Sequence, residues 1–405
     1  MTHSQSPVFV PATTRRRLLI AGAMTPLAMG IPRLARAADA PIKIALLTSL
    51  SGPFASLGES MRAGLELFLK EINYQMGGRP VTLLVEDDQG KPAEALRKVH
   101  KLISRDKIDV LCGVISAAVA LAIRDTVSDA KLLTFISNAA ANALAREAAS
   151  PYIFRATKTS WMLGHTGALW THGNIATSGG ITLASDYAAG REYVGDFNAT
   201  FQELGGVPGQ EIWTPLGTSD FAPLIMNLAA AAPKFVYAFL PGADAVRFLQ
   251  QMRDYQLQDK VQLIGPGALF DQEDVLLTAG SAGIGGINTF HQSPAAPAAA
   301  SFAAAYQAER GRLPGEASTS GYATGQVIKA GIDAVNGDID NKEKLKSRLL
   351  EEPVSTAFGP MQFDHRNNQA ILDIYVNEVR ADDQGKPINT VIHTYKGIRD
   401  PGPAA

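Results

Sequence analysis

Ile42-Lys43-Ile44-Ala45-Leu46-Leu47, the turn Ser49-Leu50-Ser51-Gly52-Pro53 behind it, and the segment running on to Ile72 decide the fold. The first is a short apolar run with little alternation, the pattern of a strand covered on both faces. In the last the period changes. Met61, Leu65, Phe68, Leu69 and Ile72 fall at i, i+4, i+7, i+8 and i+11, and Glu59, Arg62, Glu66 and Lys70 stand opposite. That spacing lays an apolar stripe along one side of a helix. The unit is strand, turn, amphipathic helix.

The same grammar repeats along the chain. Residues 81–86 form a second run, followed by a helix over about 92–104, and 110–114 and 132–136 continue the series. Further on, 181–185, 235–240 and 261–265 are runs of the same kind, each with a helical stretch after it. Strands buried on both faces and separated by helices make parallel sheets. A chain of 405 residues exceeds the ~250–300 at which one core stops growing. The expected architecture is α/β, with two doubly wound, Rossmann-like lobes of mainly parallel sheet. Towards the carboxyl end, 370–380 and 389–396 read as two strands of a hairpin joined by Ala381-Asp382-Asp383-Gln384-Gly385. Asp-Asp-Gln-Gly-Lys-Pro occurs at both 87–92 and 382–387, which we read as shared turn chemistry.

Charge and composition exclude several classes. Arg15, Arg16, Arg17, Arg33 and Arg36 lie in the first 37 residues, where there is no acid, and with them set aside 32 basic side chains face 39 acidic ones. Neither a basic face for nucleic acid nor a basic amphipathic helix for a membrane surface is present. Cys112 is the single cysteine, so intramolecular disulfides and thiolate metal clusters are excluded. Arginines 15–17 precede a mildly apolar run over 20–31, broken by Gly22, Pro26 and Gly30. It falls short of the ~20 apolar residues that span a bilayer. With Ala35-Arg36-Ala37 as a small-x-small cleavage pattern, residues 1–37 read as a Tat-like export signal, Sec export remaining open. The expected mature protein is periplasmic, with no membrane anchor.

In open parallel sheets ligands bind beyond the carboxyl ends of the strands. Those ends here are rich in small, hydroxyl, amide and aromatic residues, namely 51–54, 113–118, 137–142, 186–190, 239–242 and 265–270. That is the composition of a small-molecule cleft. Catalytic patterns are missing: there is no Gly-x-Ser-x-Gly elbow, P-loop or His-Glu-x-x-His. His165 and His172 are seven apart without a third ligand nearby, and the glycines at 280–286 lack the helix that a dinucleotide loop needs and read as a turn before a strand at 287. Cys112 falls within a buried run and reads as an inert core thiol. No enzyme activity, cofactor or metal is expected.

Ser51-Gly52-Pro53, Gly58, Gly64, Glu71-Ile72-Asn73, Asp87-Asp88 and Pro92, with Gly265-Pro266 and Phe358-Gly359-Pro360-Met361-Gln362-Phe363 later, are similar to the leucine/isoleucine/valine-binding family of periplasmic solute-binding proteins. The resemblance covers nearly the whole mature chain. It implies two lobes joined by three crossovers, near 157, 288 and 369, with 41–157 plus 289–369 in lobe I and 158–288 plus 370–405 in lobe II. It further implies a ligand cleft between the lobes, a monomer, and delivery of the ligand to the permease and ATPase subunits of an ABC importer. A ligand sensor for a signalling partner would use the same body.

Carried over residue by residue, the family's carboxylate-binding serine loop falls on Ser116, Ala117 and Ala118, and its second such loop on 138–142, with Asn138 and Ala140 at contacting positions and Asn142 closing it. An early tyrosine position is Leu57, and a second-lobe aromatic position is Pro241. The acid that holds a ligand's ammonium group in amino-acid binders aligns with Gly267. A buried cation left unpaired costs several kcal/mol, so the pattern favours a carboxylate on an apolar or flat body. Phe54, Trp161 beside Ser160, Tyr187, Phe239 and Phe270 are the candidate walls. The runs 137–144, 150–155, 186–190 and 265–267 also resemble members that take up benzoate- or cinnamate-type acids. Asp271, Glu273 and Asp274 leave a branched-chain amino acid or amide open as the alternative, although they read more simply as a helix-starting cluster.

Overall fold

The protein is described by a computed structural model covering residues 40–402; the export signal and its cleavage pattern lie outside the described residues. The first apolar run is β1 (Ile42–Thr48), central in a six-stranded sheet. The sheet order is β2-β3-β1-β4-β5-β6, with β2 (Gln75–Met76), β3 (Arg79–Asp87), β4 (Val110–Gly113), β5 (Leu133–Ile136) and β6 (Ile153–Arg155). All its pairings are parallel except that of β2 with β3. Helices α1 (Ala55–Glu71), α2 (Pro92–Lys101) and α3 (Ala117–Asp129) connect its strands.

The stripe read from the sequence is the buried face of α1. Met61, Leu65, Phe68 and Leu69 are at most 5% exposed, while Arg62 pairs with Glu59 and Glu66 outside.

The second sheet runs β8-β7-β9-β10-β11 in parallel, with β7 (Gly180–Ser185), β8 (Gln210–Thr214), β9 (Phe235–Phe239), β10 (Gln262–Pro266) and β11 (Ile287–Phe290). It continues antiparallel into β14 (Ala370–Ala381), which carries β13 (Gly359–Phe363), β12 (Val354–Thr356) and its hairpin partner β15 (Pro387–Ile398). Between the strands lie α4 (Ser160–Asn174), α5 (Ala188–Glu203), α6 (Ala222–Ala231), α7 (Ala243–Asp254) and the single turn α8 (Leu277–Ala279). The two-lobed, mainly parallel α/β architecture is the one expected.

After β11 the chain enters α9 (Ala300–Arg310), α10 (Glu316–Ala334) and α11 (Lys342–Glu351). Here α10 packs along α1: a Cβ on Gly64 would lie 1.8 Å from the Ser318 carbonyl oxygen, and one on Gly321 2.1 Å from that of Met61. Only glycine allows so close an approach of two helix backbones.

Five strands have no counterpart in the sequence reading: β2, β6, β8, β12 and β13. All five are two to five residues long and lie at or next to sheet ends, and β8 also has an exposed, polar first half, so none makes a long apolar run. Both Asp-Asp-Gln-Gly-Lys-Pro copies turn on their first aspartate, but the backbone differs: the Lys91 amide donates to the Asp88 carbonyl in one and the Gly385 amide to the Asp382 carbonyl in the other, and Gln89 is left-handed (φ 56°). Asp87 accepts from the Gln89 amide and Asp382 from the Gln384 amide, each at 2.8 Å. Among the described residues no helix is long and apolar enough to cross a membrane.

Candidate functional site

Two loops of the first lobe converge beyond the strand ends. After β4 the chain turns through Gly113 (φ 105°) and Val114 (φ 69°) into Ser116, the N-cap of α3. A buried, β-branched valine in the left-handed region is strained, and such strain gathers where a loop is held for function. Val114 is clamped there, its amide donating to the Leu47 carbonyl at 2.7 Å and its carbonyl accepting from Ala139 at 3.1 Å. Ala117 and Ala118 open the helix, where backbone N–H groups have no partner inside it. The second loop, after β5, holds Asn138 and Ala140, both at most 9% exposed. Among the described residues the Asn138 side-chain nitrogen is buried without a partner, the condition of a donor that awaits one.

Asn142 does not belong with them. Its Nδ2 donates to Asp196 at 2.8 Å, its Oδ1 accepts from the Trp161 amide at 2.9 Å, and its own amide points at Glu192. Every polar group is spent on fastening this loop to α4 and α5. Burial raises both acids, Asp196 to about 6. Ser160 is likewise committed, its amide and hydroxyl both donating to the Ala140 carbonyl. Trp161 stacks on His165, ring centroids 4.3 Å apart.

On the second lobe Tyr187 precedes α5 and Phe239 ends β9, with ring centroids 6.1 Å apart. Tyr193, which the sequence did not single out, packs on Phe239 at 4.3 Å. Burial raises the Tyr187 phenol, so it stays a neutral donor. Phe54, Leu57, Trp161, Tyr187 and Phe239 join one apolar cluster that also takes in Ala140, Tyr193 and Phe290. Pro241 stands partly exposed two residues past Phe239.

Phe270 lies elsewhere. It is fully buried in a separate cluster with Leu269, Val275 and Leu276, its ring where a Cβ on Gly286 would sit. It is core of the second lobe rather than a wall of the cleft.

Gly267 has φ 40°, and a Cβ there would lie 2.2 Å from the Phe290 ring. The space into which a side chain at 267 would start is filled by an aromatic.

Residues 41–386 match the family model described as periplasmic binding protein. The chain belongs to the periplasmic binding protein family. A Leu/Ile/Val-binding protein homologue of Brucella melitensis is 27% identical over 373 residues, 89% of this chain and 93% of that protein. Among solved structures, an ABC transporter substrate-binding protein from Sphaerobacter thermophilus is 32% identical with TM-score 0.84, covering 89% of this chain and 99% of that one. A solute-binding protein of an ABC transporter from Rhodopseudomonas palustris, in complex with 3,4-dihydroxybenzoic acid, is 27% identical with TM-score 0.83, covering 90% and 99%. The resemblance to the leucine/isoleucine/valine-binding proteins is thereby met.

In this periplasmic binding protein the acids after Gly267 are engaged by other groups, except that Asp274 Oδ2 has no partner among the described residues. Asp271 caps the following turn, accepting from the amides of Glu273 and Asp274, and also takes the Glu316 amide at 2.8 Å. Glu273 accepts from Ser60, Tyr306, Arg312, Ser318 and the Gly315 amide, all on the first lobe's helices or their connections. Asp274 accepts from Ser56 at the start of α1. The helix-starting role read from the sequence holds for Asp271; the docking of the second lobe onto α1, α9 and α10 was not legible, because its partners lie over 200 residues upstream and about 30 to 45 downstream.

Lys158, Glu316, His291 and Arg155 were also missed. Lys158 and Glu316 form a buried ion pair, and His291 lies 3.9 Å from Glu316, both its ring nitrogens without a hydrogen-bond partner among the described residues. Burial, and then Lys158, hold the His291 imidazole well below its usual range and therefore neutral. No local pattern marks a pair separated by 158 positions. A recess of about 730 Å³, lined by Gln272, Leu276, Leu277, Arg312 and the 382–387 turn, shares no lining residue with the 113–118 and 138–142 loops. Burial pushes the Cys112 thiol up to about 12, which suits the inert role expected. His165 contacts Thr200, His172 the edge of Phe201, and among the described residues no cluster of metal-ligating side chains forms.

Proposed function

We propose that this protein is the periplasmic substrate-binding component of an ABC importer and that its ligand is a small aromatic carboxylate of the benzoate or cinnamate type. Position 267 carries the choice of ligand. An α-amino acid needs an acid for its ammonium group, and here that position lacks a side chain and faces the Phe290 ring. The dihydroxybenzoate held by the Rhodopseudomonas neighbour supports the same reading.

The ligand's carboxylate would sit against Ser116, the amides of Ala117, Ala118 and Ala140, and Asn138. Charge-assisted hydrogen bonds of this kind are roughly twice as strong as neutral ones. Tyr187, Phe239 and Trp161 would enclose the ring, with Phe54 and Leu57 at the first lobe's edge. Closure of the lobes about crossovers near 157, 288 and 369 would remove the carboxylate from water and strengthen those bonds. The closed form is what a permease would read.

A thermal-shift screen of mature protein, stripped of ligand by unfolding and refolding, tests this against leucine, valine, short amides, benzoates and cinnamates. A ligand at 100 times its Kd adds ~2.7 kcal/mol, a readable shift in Tm. Stabilisation by aromatic acids alone is the expected result. Stabilisation by leucine or valine, in keeping with the name of the Brucella relative, would overturn the ligand class and keep the transport role.

A further inference from the structure

Arg155 closes β6 and is completely buried. Its guanidinium donates to the carbonyls of Ala139 at 2.8 Å, Ala141 at 2.9 Å and Lys158 at 3.1 Å. Lys158 in turn donates to the Asn138 carbonyl at 3.1 Å. Three carbonyls of the 138–142 loop are thus held from behind by two cations.

In a trans peptide the C=O and the next N–H point in opposite directions. Fastening the carbonyls of Asn138, Ala139 and Ala141 therefore aims the amides of Ala139, Ala140 and Asn142 away from the cations. Two of these are spent, Ala139 on the Val114 carbonyl and Asn142 on Glu192. Among the described residues the Ala140 amide has no acceptor.

The two cations differ in charge balance. Lys158 is neutralised by Glu316. Among the described residues no carboxylate is bonded to Arg155: of the two acids whose charges act on it, Asp400 is engaged by Arg146 and Thr159, and Glu192 by the Asn142 amide. Burial lowers Arg155 to about 10, still above neutral pH. A buried anion needs compensation, and none of Ser116, Ala117, Ala118, Asn138 and Ala140 carries a positive charge.

We infer that Arg155 is the positioning cation of the carboxylate loop: it aims the Ala140 amide at the ligand and, through the 139–140 peptide, supplies the positive charge that the contacting residues lack. The inference rests on the carboxylate reading of this site, and not on whether the ligand body is aromatic.

The test is calorimetric titration of the refolded mature protein and its Arg155→Lys and Arg155→Gln variants with benzoate, 4-hydroxybenzoate, leucine and benzamide. For whichever carboxylate the wild type binds, Arg155→Gln is expected to lose at least tenfold in affinity, about 1.4 kcal/mol. Arg155→Lys, which keeps the charge, is expected to stay within about threefold. Equal losses in the two variants would make Arg155 a structural residue only, and an unchanged Arg155→Gln would remove it from the site. Should Arg155→Gln not fold, the Ala140 amide in wild type labelled with ¹⁵N-alanine, assigned through Ala140→Gly, gives the answer. It is expected to move downfield on adding the carboxylate, and no movement overturns the assignment. Binding of leucine alone would defeat the aromatic reading while leaving this test intact. A wild type that binds benzamide and neither kind of carboxylate defeats both.

Discussion

In the function proposed above, Gly267 sets the ligand class through what it cannot hold. Its φ of 40° disfavours any side chain, and the Phe290 ring stands 2.2 Å from the Cβ it would bear. We expect Gly267→Glu to cost roughly 2–4 kcal/mol from overpacking and left-handed strain, measured by urea unfolding, and to confer no affinity for leucine. Leucine binding by that variant would show that Phe290 yields and that the acid alone was lacking. The family resemblance marked Gly267 as the place of a missing acid. It could not show that Phe290, 23 residues later, had taken the space, because the two meet only where β10 pairs with β11. Asn142 and Phe270 show the opposite difficulty. Both sit in runs that look like cleft residues, yet one is consumed by Asp196, Glu192 and Trp161 and the other is core.

At the scale of elements, the site is a set of strand ends whose loops are fastened by neighbours. The aromatic side of the proposed site comes from Tyr187 just before α5, Tyr193 within it and Phe239 at the end of β9, with Phe239 packed against both tyrosines. Tyr187→Ala and Phe239→Ala are each expected to weaken the bound acid by roughly tenfold with the far-UV circular dichroism unchanged. Undiminished affinity in both would remove this pair from the site. The loop after Gly267 is an element of another kind, since Glu273 inserts into five donors of the first lobe. Glu273→Gln replaces one acceptor oxygen by a donor facing other donors and leaves Arg312 without its partner. A loss of about 3 kcal/mol is expected, and a loss below 1 kcal/mol would mean that the contact is solvent-bridged.

For the whole molecule, this docking makes stability depend on pH. Asp274 is raised to about 6, by burial first, with Ser56 lowering it and Glu273 and Glu316 raising it against the opposing Arg312. A carboxyl whose folded pKa exceeds its unfolded value holds its proton more tightly when folded. Its contribution is complete below about pH 4 and is lost as pH rises through 6. The stability of wild type minus that of Asp274→Asn is therefore expected to fall by on the order of 1 kcal/mol between pH 4 and 6, in denaturant titrations at each pH. His291, held neutral by burial, acts in the other direction as pH falls, and the difference between the two proteins cancels it. A gap that stays flat would mean that Asp274 is ionised in the folded state like a surface acid.

The amino-acid sequence by itself determined the α/β class, the strands of β1, β3, β4, β5, β7, β9, β10 and β11, the carboxyl-terminal hairpin and the family. These depend on local periodicity, and a long apolar run or a helical stripe is readable without knowing its neighbours. Tertiary structure alone decided that Arg155 lies behind the Ala140 amide, that Lys158 meets Glu316, that Phe290 fills the place of a side chain at 267, and that Glu273 ties one lobe to the other. Each of these is a contact between residues far apart in the chain or a matter of which way a peptide points, and burial and hydrogen-bond saturation belong to the assembled fold.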